Sequence, residues 1–211
     1  MNNTENILVP KNHHTNKLKE KGSQFIGLAY RIDSAKAAND KLQQIRKKYY
    51  DATHHCYAFK TQLGEKKYSD DGEPNGTAGI RIMNAINHFN LTNCLVVVVR
   101  YFGGTKLGVG PLGKAYSQTA SELLKETDKV TLTKYFRIRI AYKYEHSSKI
   151  HYLLNKFNCK DIKNDFNLQP FITCLIEPFQ LNSFNESLIE NTKGNASTEI
   201  IENDVYINFS P

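Results

Sequence analysis

The chain has 211 residues, 40% of them hydrophobic, which is long and apolar enough for two domains with cores of their own. No apolar run approaches the length of a membrane span, and the polar start is unlike a signal peptide, so we expect a cytoplasmic protein. The net charge is +7, and the excess lies in residues 1–130, where 19 lysines and arginines accompany 12 acidic residues. We therefore expect an anionic partner, such as nucleic acid, at the first part of the chain.

Three strands and three helices are predicted in the first part of the chain, after a loosely ordered stretch at residues 1–14. Runs of apolar and β-branched residues predict strands over 25–32, 54–60 and 95–99, and apolar positions at helical spacing predict helices over 35–50, 78–89 and 111–127. Asp33 and Ser34 are suited to cap the first helix. The run at 95–99 does not alternate with polar residues, so we expect a central strand that is covered on both faces.

A second pattern begins after a break at residues 128–134. Alternating or apolar runs predict strands over 135–144, 159–166, 171–176 and 205–209, with helices over 147–157 and 181–192, the second ended by Gly194. The order βαββαβ is that of a ferredoxin-like fold. The sequence therefore predicts an α+β protein with a polar tail over 1–21, a first domain over 22–130 and a ferredoxin-like domain over 131–211.

A glycine-rich loop lies between the central strand and the following helix. Backbone N–H groups, the helix N-terminus and the ammonium groups of Lys106 and Lys114 can converge on one anion there. The candidate residues for phosphate or ligand binding are Arg100, Tyr101, Gly103, Gly104, Lys106, Gly108 and Lys114.

The sequence of this loop has two other interpretations. Gly108, Gly113 and Lys114 fit the spacing of a nucleotide P-loop, but Ala115 stands where a Mg²⁺-binding hydroxyl is needed, and Pro111 removes one N–H group. A tight connection that binds nothing explains the glycines better than a P-loop does.

A loop at residues 61–77 carries turn pairs, including Asp71-Gly72, and predicts a hairpin or an exposed loop. Its carboxylates, Asp70, Asp71 and Glu73, are candidates for binding a metal ion or for acting as a general base. Capping of the next helix and turn formation are the favoured explanation. We also expect Arg100 to form an ion pair with one of the three.

The neighbouring pair His54 and His55 supplies candidate acid/base groups for the same site. One of two adjacent strand residues normally faces the core, where a hydrogen-bonded histidine is common, so the pair alone decides nothing. The four cysteines are too far apart in sequence to indicate a zinc site or a disulfide framework. Cys56 shares a strand face with His54 and is the thiol to test for reactivity.

Several motifs together resemble one known family. The segment at 79–108, which ends in Val97-Val98-Val99-Arg100-Tyr101-Phe102-Gly103-Gly104, resembles the signature of the IMPACT family and of its bacterial YigZ type in particular. His54-His55-Cys56, Asp70-Asp71-Gly72-Glu73-Pro74 and Gly76-Thr77-Ala78-Gly79 are similar to other motifs of that family. The resemblance covers residues 22–126, and a small second domain agrees with the bacterial architecture.

The resemblance implies a first domain with the βαβ-rich fold of a small-subunit ribosomal protein's second domain, followed by a ferredoxin-like domain similar to the last domain of translation elongation factor G. It also implies a connection with translation, which the eukaryotic relatives regulate at initiation. They do so with an additional N-terminal domain that this sequence does not show, so their partner is not carried over.

Two hypotheses of different classes follow. The first, which we favour, is a cytosolic protein that binds RNA or the ribosome through phosphate contacts of the glycine loop, with Tyr101 or Phe102 stacking on a base. The second is a hydrolase or transferase for a phosphorylated or other anionic small molecule. Its catalytic groups would be the histidines and the carboxylates of the loop at residues 61–77, called the acidic loop below. No cofactor and no membrane contact are expected, and the sequence does not indicate an oligomeric state.

Overall fold

The computed structural model describes residues 5–165 and 170–209. The chain divides into two compact units. One unit is Ile7–Thr131, called the N-terminal unit below, and the other comprises the residues from Leu132 onward together with the first residues of the chain. None of the helices in the described ranges is long and apolar enough to span a membrane.

The N-terminal unit is a five-stranded antiparallel sheet with helices on both faces. Its strands are β2 (His14–Glu20), β3 (Ser23–Arg31), β4 (His54–Lys60), β5 (Lys66–Ser69) and β6 (Cys94–Tyr101), and its helices are α1 (Ala35–Lys48), α2 (Gly79–His88) and α3 (Val109–Glu126). The strand order is β2-β3-β6-β4-β5, and every strand pair is antiparallel. The strand predicted to be central is therefore confirmed as the middle strand.

Alternation along β6 explains why its sequence is apolar throughout. Val96 and Val98 pack against α2 and α3, whereas Leu95, Val97 and Val99 pack against α1. Neighbouring strand residues point to opposite faces, so a strand covered on both sides needs apolar residues at every position. Arg100 continues the face of Val96 and Val98, which points it toward α2 and α3 rather than toward α1.

The prediction of a loosely ordered start and a polar tail over 1–21 is wrong for Asn6–Pro10 and His14–Glu20. They form β1 (Asn6–Pro10) and β2, and β2 pairs with β3 from His14–Ala29 to Glu20–Ser23. The strand alternates exposed and half-buried residues, and its Asn16 side chain donates a hydrogen bond to the Thr119 carbonyl of α3 at 3.0 Å. Polar and lysine-rich sequence is common in edge strands, and the prediction overlooked this possibility.

The second unit has the predicted βαββαβ order. Its elements are β7 (Lys129–Tyr142), α4 (Ser147–Lys156), β8 (Lys160–Asp165), β9 (Phe171–Ile176), α5 (Leu181–Thr192) and β10 (Ala196–Ile207). The sheet order is β1-β7-β9-β8, with β10 also paired to β7. With β10, β7, β9 and β8 side by side in that order and both helices packed on one core, the fold is ferredoxin-like.

Two strand boundaries differ from the predictions. The break predicted at 128–134 is part of β7, and β10 begins at Ala196 rather than at residue 205. Residues 196–202 of β10 pair with residues 137–142 of β7, and Thr133 and Lys134 pair with Ile207 and Tyr206, so backbone pairing between β7 and β10 extends both strands beyond the predicted ranges. The end of the strand predicted over 159–166 lies outside the described residues.

Candidate functional site

The glycine loop connects β6 to α3 and is anchored by a close approach of two backbone segments. A Cβ atom on Gly103 would overlap the backbone of Gly22, which lies in the turn between β2 and β3. The Gly103 N–H group also donates a hydrogen bond to Ser23 Oγ at 3.2 Å. Packing within the protein is therefore sufficient to require glycine at position 103.

The end of the loop leaves the first turn of α3 open to solvent. Gly108 is the residue before the helix, has a φ of +82°, and has nothing within 4 Å of the position where a Cβ would lie. The N-cap residue, Gly108, has no side chain that could cap the helix. The free N–H groups of this turn carry the positive end of the helix dipole, which favours an anion.

Arg100 lies beneath this turn in a buried ion pair. Its Nη1 atom is 2.7 Å from Glu73 Oε1, and its Nη2 donates to Ser23 Oγ at 3.3 Å. The residue is only 6% exposed. The expected pairing of Arg100 with the acidic loop is thus confirmed, and the pair leaves Arg100 with little net charge to offer to a phosphate.

The two aromatic residues of the loop have different environments. The Tyr101 hydroxyl donates to Asp51 Oδ1 at 2.8 Å. Desolvation, followed by this hydrogen bond and the charge of Asp51, raises the pKa of Tyr101 to about 12. Phe102, in contrast, is 47% exposed. Phe102 is the ring that is available for stacking.

The three carboxylates of the acidic loop bind three different sets of partners. Asp70 accepts hydrogen bonds from three backbone N–H groups at the start of α2. Asp71 is 2.8 Å from Arg46 and accepts from the backbone N–H of His55 at 2.7 Å. Glu73 pairs with Arg100. Within the described residues no group of three or more histidine, cysteine or acidic side chains is arranged to hold a metal ion.

The pKa of Asp70 reflects its role as a cap. Burial opposes its ionisation, but the N–H groups of Gly76, Gly79 and Ala78 outweigh burial and hold the pKa below its ordinary value. This outcome agrees with the capping explanation favoured from the sequence.

The histidine pair is split between two neighbourhoods. His54 Nδ1 is 2.8 Å from the Asp71 carbonyl oxygen, and its Nε2 is 3.7 Å from Glu73 Oε2. His55 is buried, with Nε2 3.0 Å from the Tyr49 carbonyl oxygen. His55 therefore has the structural role expected of a core histidine, while His54 lies next to the buried ion pair.

Tyr116, which sequence reasoning missed, completes the buried network. Its hydroxyl donates to Glu73 Oε1 at 2.8 Å and is 3.3 Å from Cys56 Sγ. Burial raises the pKa of both Tyr116 and Cys56, which disfavours the reactive thiolate form of Cys56. The sequence did contain a signal for this network. Tyr116 lies on the apolar face of the helix after the glycine loop, and a buried tyrosine hydroxyl needs a hydrogen-bond partner.

Three hollows surround the first turn of α3, and cations line all of them. Arg81 and Lys114 line the largest, of about 800 Å³. Lys21 and Lys114 line another of about 340 Å³, and Arg100 and Lys106 line the third, of about 230 Å³. In the described part of the chain, Lys21, Lys106 and Lys114 are exposed and belong to no ion pair.

The structure thus places Lys106 and Lys114 on different sides of the same helix turn. Sequence reasoning missed Lys21 and Arg81, which come from the β2–β3 turn and from α2. No local pattern marks these two residues, because they reach α3 only through the packing of the sheet and α2.

Comparison with known proteins finds a matching domain family for each of the two parts of the chain. Residues 21–124 match the Impact N-terminal domain, and residues 136–203 match the C-terminal domain of the SBDS protein. The IMPACT family member YvyE of Bacillus subtilis is 35% identical over 82% of this chain and 80% of its own length. The chain belongs to the IMPACT family. The family member YigZ of Escherichia coli is 29% identical over 94% of this chain and 99% of its own.

A solved structure agrees with this assignment. A crystal structure described as that of a hypothetical protein has a TM-score of 0.69 and 28% identity, and the match covers 94% of this chain and 98% of that one. The similarity therefore extends over both units of this IMPACT-family protein.

Proposed function

We propose that this IMPACT-family protein binds RNA, alone or in the ribosome, in the cytoplasm, and that it holds the phosphate backbone around the first turn of α3. The observation that carries the proposal is a set of exposed cations, Lys21, Lys106 and Lys114, which belong to no ion pair among the described residues and line three hollows around the N-terminus of α3. Arg81 adds a further exposed guanidinium to the largest hollow.

Charge and shape together favour a polyanion over a single phosphate. Lys21, Lys106 and Arg81 belong to three different hollows, so they are suited to successive phosphates of one backbone. The hollow of about 800 Å³ also has hydroxyl and amide side chains, including Ser117, Gln118 and Ser121, which are frequent partners of phosphate and sugar oxygens. The connection with translation that the family resemblance implies supports RNA as the polyanion.

An enzyme acting on an anionic small molecule is less well supported. That hypothesis needs the acidic loop and the histidines to converge on one pocket near the glycine loop. The side-chain oxygens of Asp70 are taken up by helix capping, and those of Asp71 by Arg46 and a backbone N–H. Of these candidates, Glu73 does line the hollow that contains Lys106, but it is paired with Arg100.

The test is the binding of the purified protein to ribosomes and to short single-stranded and structured RNA over a salt series. The variant Lys106→Ala/Lys114→Ala is compared with Lys47→Ala/Lys48→Ala. The control pair removes the same charge from α1, which packs on the opposite face of the sheet from α3. For single strands, each lost phosphate contact should reduce the slope of log K against log salt by about 0.7.

We expect salt-dependent binding that the α3-side variant loses and the α1-side variant keeps. If the two variants weaken RNA binding equally, the total charge of the protein, and not this site, is responsible for the binding. No binding by the parent protein at low salt would refute the proposed function and would direct attention to phosphorylated metabolites.

A further inference from the structure

The smallest of the three hollows differs from the others in chemistry. Its volume of about 230 Å³ is below the ~300–1,000 Å³ typical of sites for drug-sized ligands, which suits one planar ring system better than a whole nucleotide. Most of its lining is apolar, from Pro74, Phe102, Leu107, Val109 and Leu112. Phe102 and Val109 are also exposed, so an apolar rim surrounds this hollow.

A buried polar atom without a partner lies at the same hollow. Arg100 lines it, the Arg100 side chain is 7% exposed, and its Nε is buried with no hydrogen-bond partner in the ranges that the structure describes. Buried N–H groups are nearly always satisfied, so such an atom calls for an explanation. Nε is closed to solvent in this structure, so an acceptor atom on a ligand supplies the missing partner only once the Arg100 side chain shifts toward the hollow.

The charges around the hollow indicate which kind of ligand would place an acceptor atom near Arg100. Glu73 neutralises Arg100, so the interior of the hollow offers a polar N–H group and not a free positive charge. Lys106 and the open first turn of α3 adjoin the same hollow and provide the attraction for an anion. The arrangement therefore suits a neutral, planar, hydrogen-bonding group that is attached to a phosphate.

We propose that this hollow accepts a single unstacked nucleobase of the bound RNA, which stacks on Phe102 and accepts a hydrogen bond from Arg100 Nε. This inference rests on the proposed function and deepens it. Every base has an aromatic face and acceptor atoms on its edge, so binding is tolerant of base identity. The Arg100 guanidinium lies 5.7 Å from the Phe102 ring centroid, and both residues line this hollow.

The experiment compares two oligomers with the same backbone charge. One is an oligoadenylate of about 12 nucleotides, within the ~4–16 nucleotides that single-strand-binding domains occupy. The other is an equally long chain of 1-deoxyribose phosphates, which keeps the 2′-hydroxyls and phosphates but has no bases. Affinities are measured at one low salt concentration for the parent protein and for Phe102→Ala, Phe102→Tyr and Tyr50→Ala. Tyr50 is 84% exposed and serves as the matched aromatic control.

We expect the parent protein to bind oligoadenylate about ten-fold or more tightly than the base-free chain. Phe102→Ala should remove this preference while still binding the base-free chain like the parent, and Phe102→Tyr and Tyr50→Ala should keep it. Equal binding of both oligomers by the parent, or a preference that Phe102→Ala retains, overturns this inference and leaves the phosphate-binding proposal standing. If the parent binds neither oligomer, this inference fails, and the measurements with ribosomes and structured RNA described above decide the proposed function.

Discussion

Arg100 and Glu73 form an ion pair with an N–O distance of 2.7 Å, and both side chains are less than a tenth exposed. The pair joins the central strand to the acidic loop, whose residues precede α2, and Tyr116 of α3 donates to the same carboxylate. A charge in this position is retained only with its partner, because burying an unpaired ion is far more costly than burying the pair.

Replacement of Glu73 by glutamine should therefore destabilise the protein strongly. Glu73→Gln keeps the shape of the side chain but leaves the Arg100 charge buried without compensation, and we expect a loss of about 3–5 kcal/mol in the free energy of unfolding. Urea denaturation of the parent and the variant measures it. Glu126→Gln is the control, because Glu126 is 62% exposed and its contact with His14 is worth less than about 1 kcal/mol. Similar losses for the two variants would contradict the role of the buried pair.

Gly103 should tolerate no side chain. Gly103→Ala places a Cβ in the backbone of Gly22, and we expect a loss of about 1–3 kcal/mol or a displaced glycine loop, as for overpacked sites. Thermal and urea unfolding report the loss. Gly110→Ala provides the comparison, since nothing lies within 4 Å of its Cβ position in α3, and its stability should equal or slightly exceed that of the parent. A fully stable Gly103→Ala would show that the two segments are not held together.

Asp70 should contribute a stability that depends on pH. Its folded-state pKa lies below the ordinary value of 3.8, so its contribution is complete above that value and disappears as the pH falls through the folded pKa. At neutral pH we expect Asp70→Ala to lose about 1–2 kcal/mol, as for other helix caps. Urea unfolding of both proteins at several pH values should show that the difference shrinks below pH 3.8. Asp40→Ala, on the exposed side of α1, should differ little from the parent at any of these pH values.

Cys56 and Cys94 should resist alkylation in the folded protein. Both residues are fully buried, and burial raises the pKa of each thiol, so little thiolate is available. Iodoacetamide treatment followed by peptide mass spectrometry should modify them only after denaturation. A cysteine introduced at the exposed position 48, Lys48→Cys, gives the rate of an accessible thiol in the same protein. Modification of native Cys56 at that rate would mean that its strand opens readily.

Local chemistry was enough to predict much of the fold. An unbroken apolar run indicated the central strand, because only a strand covered on both faces has no polar positions. The spacing of apolar residues gave the helices and the βαββαβ order of the second unit, and the clustering of glycines located the loop before α3. Even the Arg100 ion pair could be anticipated, since an arginine at the end of a buried strand needs a nearby carboxylate.

The sequence by itself therefore determined the elements whose signals are local, and the tertiary structure decided which distant residues meet. The strand β2 is polar and rich in lysine, and its backbone pairing with β3 makes it part of the sheet. Asp70, Asp71 and Glu73 are neighbours in sequence, yet positive φ angles at Asp71 and Gly72 turn the chain so that each carboxylate finds a different partner. Lys21 and Arg81 join Lys106 and Lys114 at α3 only because the sheet and α2 pack there, and no spacing along the chain encodes that contact.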